Sequence, residues 1–225
     1  MNQPQTYYSP LYRNFRAIEA GEFRKLVYFY ERNEKEISKL EFAEYFELLV
    51  TYTNALFEIA AHQKHLLMAD VVIELSFMEN ITEIGGQEIF QATLFQKAAS
   101  YYNLFDFPKA IYVLSELIKI NPNDPEVAEF LERCLRKNRP QLIRHTRALS
   151  IFVFLTSALI ICIEALVIRN FFTEYTSIFE LTRNSLFVLG FVILIGGEFI
   201  QRFKAKKDVL NLIDSAKKLK NKVKY

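Results

Sequence analysis

ALSIFVFLTSALIICIEALVI, residues 148–168, is an apolar run of 21 residues with a single ionisable side chain, Glu164. At about 1.5 Å per residue, a helix of that length is roughly 30 Å long, the thickness of a bilayer's hydrocarbon core. A second run, LFVLGFVILIGGEFI at residues 186–200, follows a short loop and also holds one charge, Glu198. The two runs divide the chain. The expected order is a flexible start (1–10), a soluble helical domain (11–137), a basic linker (138–147), a first span (148–168), an external loop (169–185), a second span (186–203) and a basic amphipathic tail (204–225).

Composition agrees with an all-α chain. Glycine and proline number six each, against 21 Phe and 12 Tyr, which favours long helices over turn-rich sheet. The net charge of +2 conceals a division: residues 1–132 hold 11 Lys/Arg against 20 Asp/Glu, and residues 133–225 hold 17 against six. An acidic soluble surface and a basic region beside anionic lipid are the environments such an asymmetry suits. The two cysteines, Cys134 and Cys162, fall in different regions and give no disulfide framework, as in a reducing compartment. MNQPQTYYSP has neither a basic nor an apolar signal region, so no cleavable signal is expected.

Charge also orients the spans. Arg133, Arg136, Lys137, Arg139, Arg144 and Arg147 precede the first, and Arg202, Lys204, Lys206 and Lys207 follow the second. The positive-inside rule places both termini in the cytoplasm, and the bacterial inner membrane is the expected location. Phe171, Phe172, Tyr175 and Phe179 in the loop suit the headgroup level. Glu164 and Glu198 are the intramembrane polar residues. Each reads either as a functional carboxylate contacting ions or partner subunits, or as a boundary residue paired with Arg169 and Arg202 respectively. Small residues Gly190, Gly196 and Gly197, with Ala158, Cys162 and Ala165, offer surfaces for packing the hairpin on itself.

Ahead of the spans, apolar residues recur at three and four positions almost without pause. Leu40, Phe46, Leu49, Thr53 and Leu56 mark one helix; Ala69, Val72, Ile73 and Phe77 are the expected inward face of another, after a polar break at His62–Lys64. Gly85-Gly86 is the clearest breaker. Pro108 suits the first turn of a helix, and Asp124-Pro125 a cap and first position.

Leu94, Ala98 and Tyr101, then Asp106-Phe107, then Ala110, Ile111, Leu114 and Pro122, resemble a tetratricopeptide repeat, with Lys97 and Leu117 departing from its pattern. A weaker copy starts near Val50 with Ala69 in the place of Ala110, and Gly21-Glu22-Phe23 resembles the turn between paired helices. The resemblance implies a short α-solenoid of paired antiparallel helices that binds a protein partner and has no catalysis of its own. A non-repetitive helical bundle is the other reading. In the resembled family the first helix of each pair lines the groove, which carries over to Asn54, Glu58 and His62, and to Phe95, Tyr102 and Asn103.

The tail has Val209, Leu212, Ile213 and Ala216 at helical spacing among lysines. Lys204, Lys206, Lys207, Lys217, Lys218 and Lys220 suit an anionic lipid surface in preference to nucleic acid; packing on the acidic domain is a further option. His62 and His65 are three apart, without a third metal ligand at suitable spacing, and are expected at the surface. The nucleotide, hydrolase and metalloprotease motifs are missing, so no enzyme, cofactor or metal is expected. The expectation is a membrane-anchored adaptor or scaffold that binds a protein partner, through a basic segment of it. The alternative is an accessory subunit of a transport, secretion or channel complex, assembled through its hairpin. A tail-anchored organelle receptor is a third reading, although such receptors use one span.

Overall fold

The computed structural model describes residues 8–84, 86–138, 140–168 and 176–223. The chain forms two compact units, one of Met1–Leu131 with Leu219–Tyr225 and the other of Glu132–Lys218. Both are helical. The expectations for Arg139, Arg169, Phe171, Phe172 and Tyr175 lie outside the described residues.

The first unit begins with α1 (Pro10–Arg16), whose N-cap Ser9 accepts a hydrogen bond from the Tyr12 amide at 3.2 Å. It continues through α2 (Phe23–Ile37), α3 (Phe42–Glu58) and α4 (His62–Met78) to α5 (Ile89–Asn103) and α6 (Phe107–Ile120). Each of these helices packs on its sequence neighbour. Phe15, Ile37, Phe46, Leu48, Leu49 and Leu56 are fully buried between them. Each such side chain contributes about 1.5–3 kcal/mol of burial energy, so they hold the unit's first half together. Two polar contacts pin α1 to α3: the Ser9 amide donates to Glu44 at 2.7 Å and the Tyr12 hydroxyl to Glu47 at 2.7 Å. At α5–α6, Ala98 and Ala110 have no solvent exposure, and small side chains there let the backbones approach. Asp106 caps α6 from the Lys109 amide, and Asp124 caps α7 (Pro125–Asn138) from the amides of Glu126 and Val127.

Three expectations are corrected. The break before α4 falls at Ile59–Ala61 and not at His62–Lys64, because Ala60 adopts φ 59° and the Ala61 amide closes back on the Leu56 carbonyl at 2.9 Å. Phe77 points out, with 79% exposure. The inward stripe of α4 is His65, Ala69, Val72 and Ser76, one position earlier. Gly86, the described half of the expected breaker, lies in a hairpin of two-residue strands, β1 (Glu83–Ile84) and β2 (Gln87–Glu88), with Glu83 opposite Glu88 and Ile84 opposite Gln87. Gly86 turns with φ 79°. Strands of two residues are too short to show a period.

In the second unit α8 (Pro140–Ile163) takes in residues 140–147 of the expected linker as helix and ends in a π-helical turn, Glu164–Ile168. The next helix, α9 (Thr176–Val223), is continuous over 48 residues, so the second span and the tail are one element. Both helices are long and apolar enough to cross a membrane. The most apolar stretch within each, inside Arg144–Leu166 and Ser177–Lys222, is only 22% and 6% buried, unlike the helix of a protein core. Leu155, Leu159, Val192 and Ile195 are among the side chains facing outward.

Candidate functional site

The helical unit offers two clefts on different sets of helices. One lies between α3 and α5, has a volume of about 310 Å³, and is lined by Glu47, Thr51, Asn54, Ile89, Thr93 and Gln96 among others. The other, of about 490 Å³, lies between α2, α3 and α4, with Tyr30, Tyr45 and Tyr52 as its aromatic lining.

The six groove candidates do not share one surface. Asn54 lines the α3–α5 cleft. Glu58 is exposed and lines a shallow depression with Gly21, Phe23 and Ala60. His62 packs its ring edge on Phe57 with centroids 6.0 Å apart. Phe95 and Tyr102 each lie 5.5 Å from the Phe130 ring of α7, and Tyr102 also contacts Phe107. Asn103 is the exposed last residue of α5. The residues by which α5 lines the cleft are Ile89, Ala92, Thr93 and Gln96. Their spacing is the legible signal that was missed: two polar residues in register with Ile89 on one helical face.

His65 overturns the surface expectation for the histidines. It has no exposure, and its Nδ1 is 2.8 Å from the Ser100 hydroxyl, which also lies 3.3 Å from Nδ1 of His62. A hydroxyl with one proton and two lone pairs can bridge both rings. Burial pushes the His65 pKa down to about 4, with nearby Gln96 opposing the shift and His62 adding to it. His62 is also lowered by burial. Because Ser100 is fully buried as well and His62 half-buried, the trio fastens α4 to α5.

Glu164, 2% exposed, pairs with Arg183 across the hairpin at 3.0 Å; its expected partner Arg169 lies outside the described residues. Glu198 pairs with Arg147 at 3.5 Å and not with Arg202 four residues on. From Arg147 to Glu164 is roughly 25 Å along a helix at 1.5 Å per residue, so the two carboxylates are separate stations. Between them the helices approach closely. A Cβ on Gly190 would lie 2.6 Å from the Phe154 ring, and one on Gly197 2.5 Å from Thr146 Oγ1. Gly196 has nothing within 4 Å.

In α9 the lipid-surface candidates Lys204, Lys206, Lys207, Lys217, Lys218 and Lys220 are exposed, whereas Ala205, Val209 and Ala216 are buried. Leu212 and Ile213, also of the tail's apolar stripe, are half-buried. Gln201 donates to the Arg136 carbonyl at 2.7 Å, and Lys220 donates to the Ile120 carbonyl at the end of α6. A lysine there meets the negative end of a helix dipole.

No family model, no curated protein and no solved structure matches this chain.

Proposed function

We propose that this chain is a membrane-anchored, non-enzymatic adaptor whose helical unit works as a short tetratricopeptide-like solenoid and binds a protein partner. The observation that carries the reading is a repeated turn. Gly21-Glu22-Phe23, Ala60-Ala61-His62 and Phe105-Asp106-Phe107 each place a residue of positive φ (106°, 59° and 62°) just before a helix starts. In the last two the backbone closes identically: Asp106 N to Tyr101 O at 2.9 Å repeats Ala61 N to Leu56 O at 2.9 Å. Helices that pack chiefly on sequence neighbours and turn the same way leave open clefts, which suits binding a segment of another protein.

The anchor in this proposal is the α8–α9 hairpin, with both termini in the cytoplasm, as the basic flanks favour. The acidic helical unit then favours a basic partner, chiefly through encounter rate and selectivity. The test is crosslinking and affinity purification of the full-length protein from its native membrane, compared with a chain lacking residues 1–137. The proposal expects soluble partners with the full chain and their loss on deletion. Retention of every partner by the hairpin alone would overturn it in favour of a membrane-complex subunit.

A further inference from the structure

The α2–α3–α4 cleft joins three chemical features. Its floor is aromatic: Tyr30 and Tyr52 stack with centroids 4.0 Å apart at 7°, and Tyr45 adjoins them. One wall is apolar, made by Leu49, Leu67, Met68 and Val71, and Leu67 is 65% exposed. The rim carries Glu31 and Glu34.

The two carboxylates are in different states. Oε1 of Glu31 accepts from Lys64 at 2.8 Å and from the Tyr52 hydroxyl at 3.2 Å. The Glu34 carboxylate makes no hydrogen bond or ion pair among the described residues. Burial raises the pKa of Tyr30 and Tyr52, with Glu31 and Glu34 adding to the shift of Tyr52, so both phenols stay neutral. The rim therefore keeps one carboxylate charge in excess of Lys64, above an apolar wall and aromatic rings. A side chain with a hydrocarbon stem and a cationic head satisfies all three at once. Anionic phosphates, whether of lipid or nucleic acid, are repelled.

We propose that this cleft takes a basic segment of a soluble protein partner, one Arg or Lys head meeting Glu34 and its stem lying along Leu67, Met68 and Val71. The proposal rests on the adaptor reading and names the partner's chemistry and its seat. A volume of about 490 Å³ is within the range of peptide and small-ligand sites, roughly 300–1,000 Å³. The site shares α3 with the α3–α5 cleft that the repeat resemblance favours, but draws its other residues from α2 and α4.

The probe is the acetylated, amidated peptide Arg-Leu-Arg-Leu-Arg, with Glu-Leu-Glu-Leu-Glu as control. Each is titrated into full-length protein in nanodiscs labelled with 3-fluorotyrosine. The resonances of Tyr30, Tyr45 and Tyr52, assigned through Tyr→Phe variants, should shift saturably with the basic peptide only. Glu34→Gln should weaken binding about fivefold and Glu34→Lys more, while Asn54→Ala leaves it unchanged. Leu67→Ser, an exposed position with little risk to folding, should weaken it as well. Equal binding of the acidic peptide, or unchanged affinity in Glu34→Lys, overturns the proposal. If the purified protein is a dimer that Glu34→Lys dissociates, a second copy owns the cleft and the proposal falls. Partners that still co-purify with Glu34→Lys remove the cleft but leave the adaptor reading standing. If no soluble partner co-purifies with wild type, the adaptor reading fails, and the peptide titration judges the cleft by itself.

Discussion

His65 shows how a single side chain sets a condition on stability. Its folded pKa of about 4 lies below the ordinary 6.5, so the unfolded chain takes up the proton first. Stability from neutral His65 is fully present above pH 6.5 and is lost as pH falls from 6.5 to 4. The slope is about 1.4 kcal/mol per pH unit, or about 3 kcal/mol across the window. Denaturant unfolding of wild type and His65→Asn at pH 7, 5.5 and 4.5 checks this. The variant should be weaker at pH 7 by about 1–2 kcal/mol, from lost volume, and should lose less on acidification. Parallel pH curves would show that His65 is not the group responsible. Nothing in the sequence marks His65 as buried, since it follows His62-Gln63-Lys64 and its place is fixed by Ser100, 35 residues away. Phe105 is similar: a bulky residue at φ 62° with 79% exposure stands where glycine would be favoured, and no apolar period reveals it.

At the scale of elements, adjacent glycines in α9 separate close approach from helix propensity. Gly197 faces Thr146 at a distance no Cβ tolerates, and Thr146 is too short to swing aside. Gly197→Ala should therefore destabilise the hairpin by about 1–3 kcal/mol. Gly196 meets nothing, so Gly196→Ala should be neutral or stabilise by up to about 1 kcal/mol through propensity alone. Thermal or SDS-induced unfolding in bicelles distinguishes the signs, and equal shifts would deny the close approach. The sequence offered three glycines for packing, and the helix's rotation selected Gly190 and Gly197. Continuity of α9 was likewise invisible: a change from apolar to basic composition looks like a boundary, but no residue there breaks a helix. Lysine, alanine and leucine all propagate one.

For the molecule as a whole, the proposed orientation, with both termini in the cytoplasm, is one that labelling can test. In a chain carrying Cys134→Ser and Cys162→Ser, a cysteine at Ser177 should react with membrane-impermeant maleimide from outside. Cysteines at Glu19 or Lys222 should react only after permeabilisation. The reverse pattern, or labelling of all three from outside, would reject the orientation. A helix of 48 residues is roughly 70 Å long, more than twice a bilayer core, so in the proposed orientation α9 would extend well beyond the membrane on its basic side.

The sequence by itself determined what depends on composition and local period: an all-helical chain, two apolar helices of spanning length, the acidic and basic halves, and the cap at Asp124. These need only neighbours within a turn or two. The tertiary structure decided which polar groups meet. Glu164 with Arg183, Glu198 with Arg147, His65 with Ser100, and the aromatic, acidic cleft of α2–α4 all depend on helix rotation. One residue of shift turns a helical face by about 100°, so an off-by-one reading such as Phe77 for Ser76 sends a side chain into solvent. The register is set by turns such as Ala60 and Phe105 and by glycine contacts across the hairpin, and these are long-range facts.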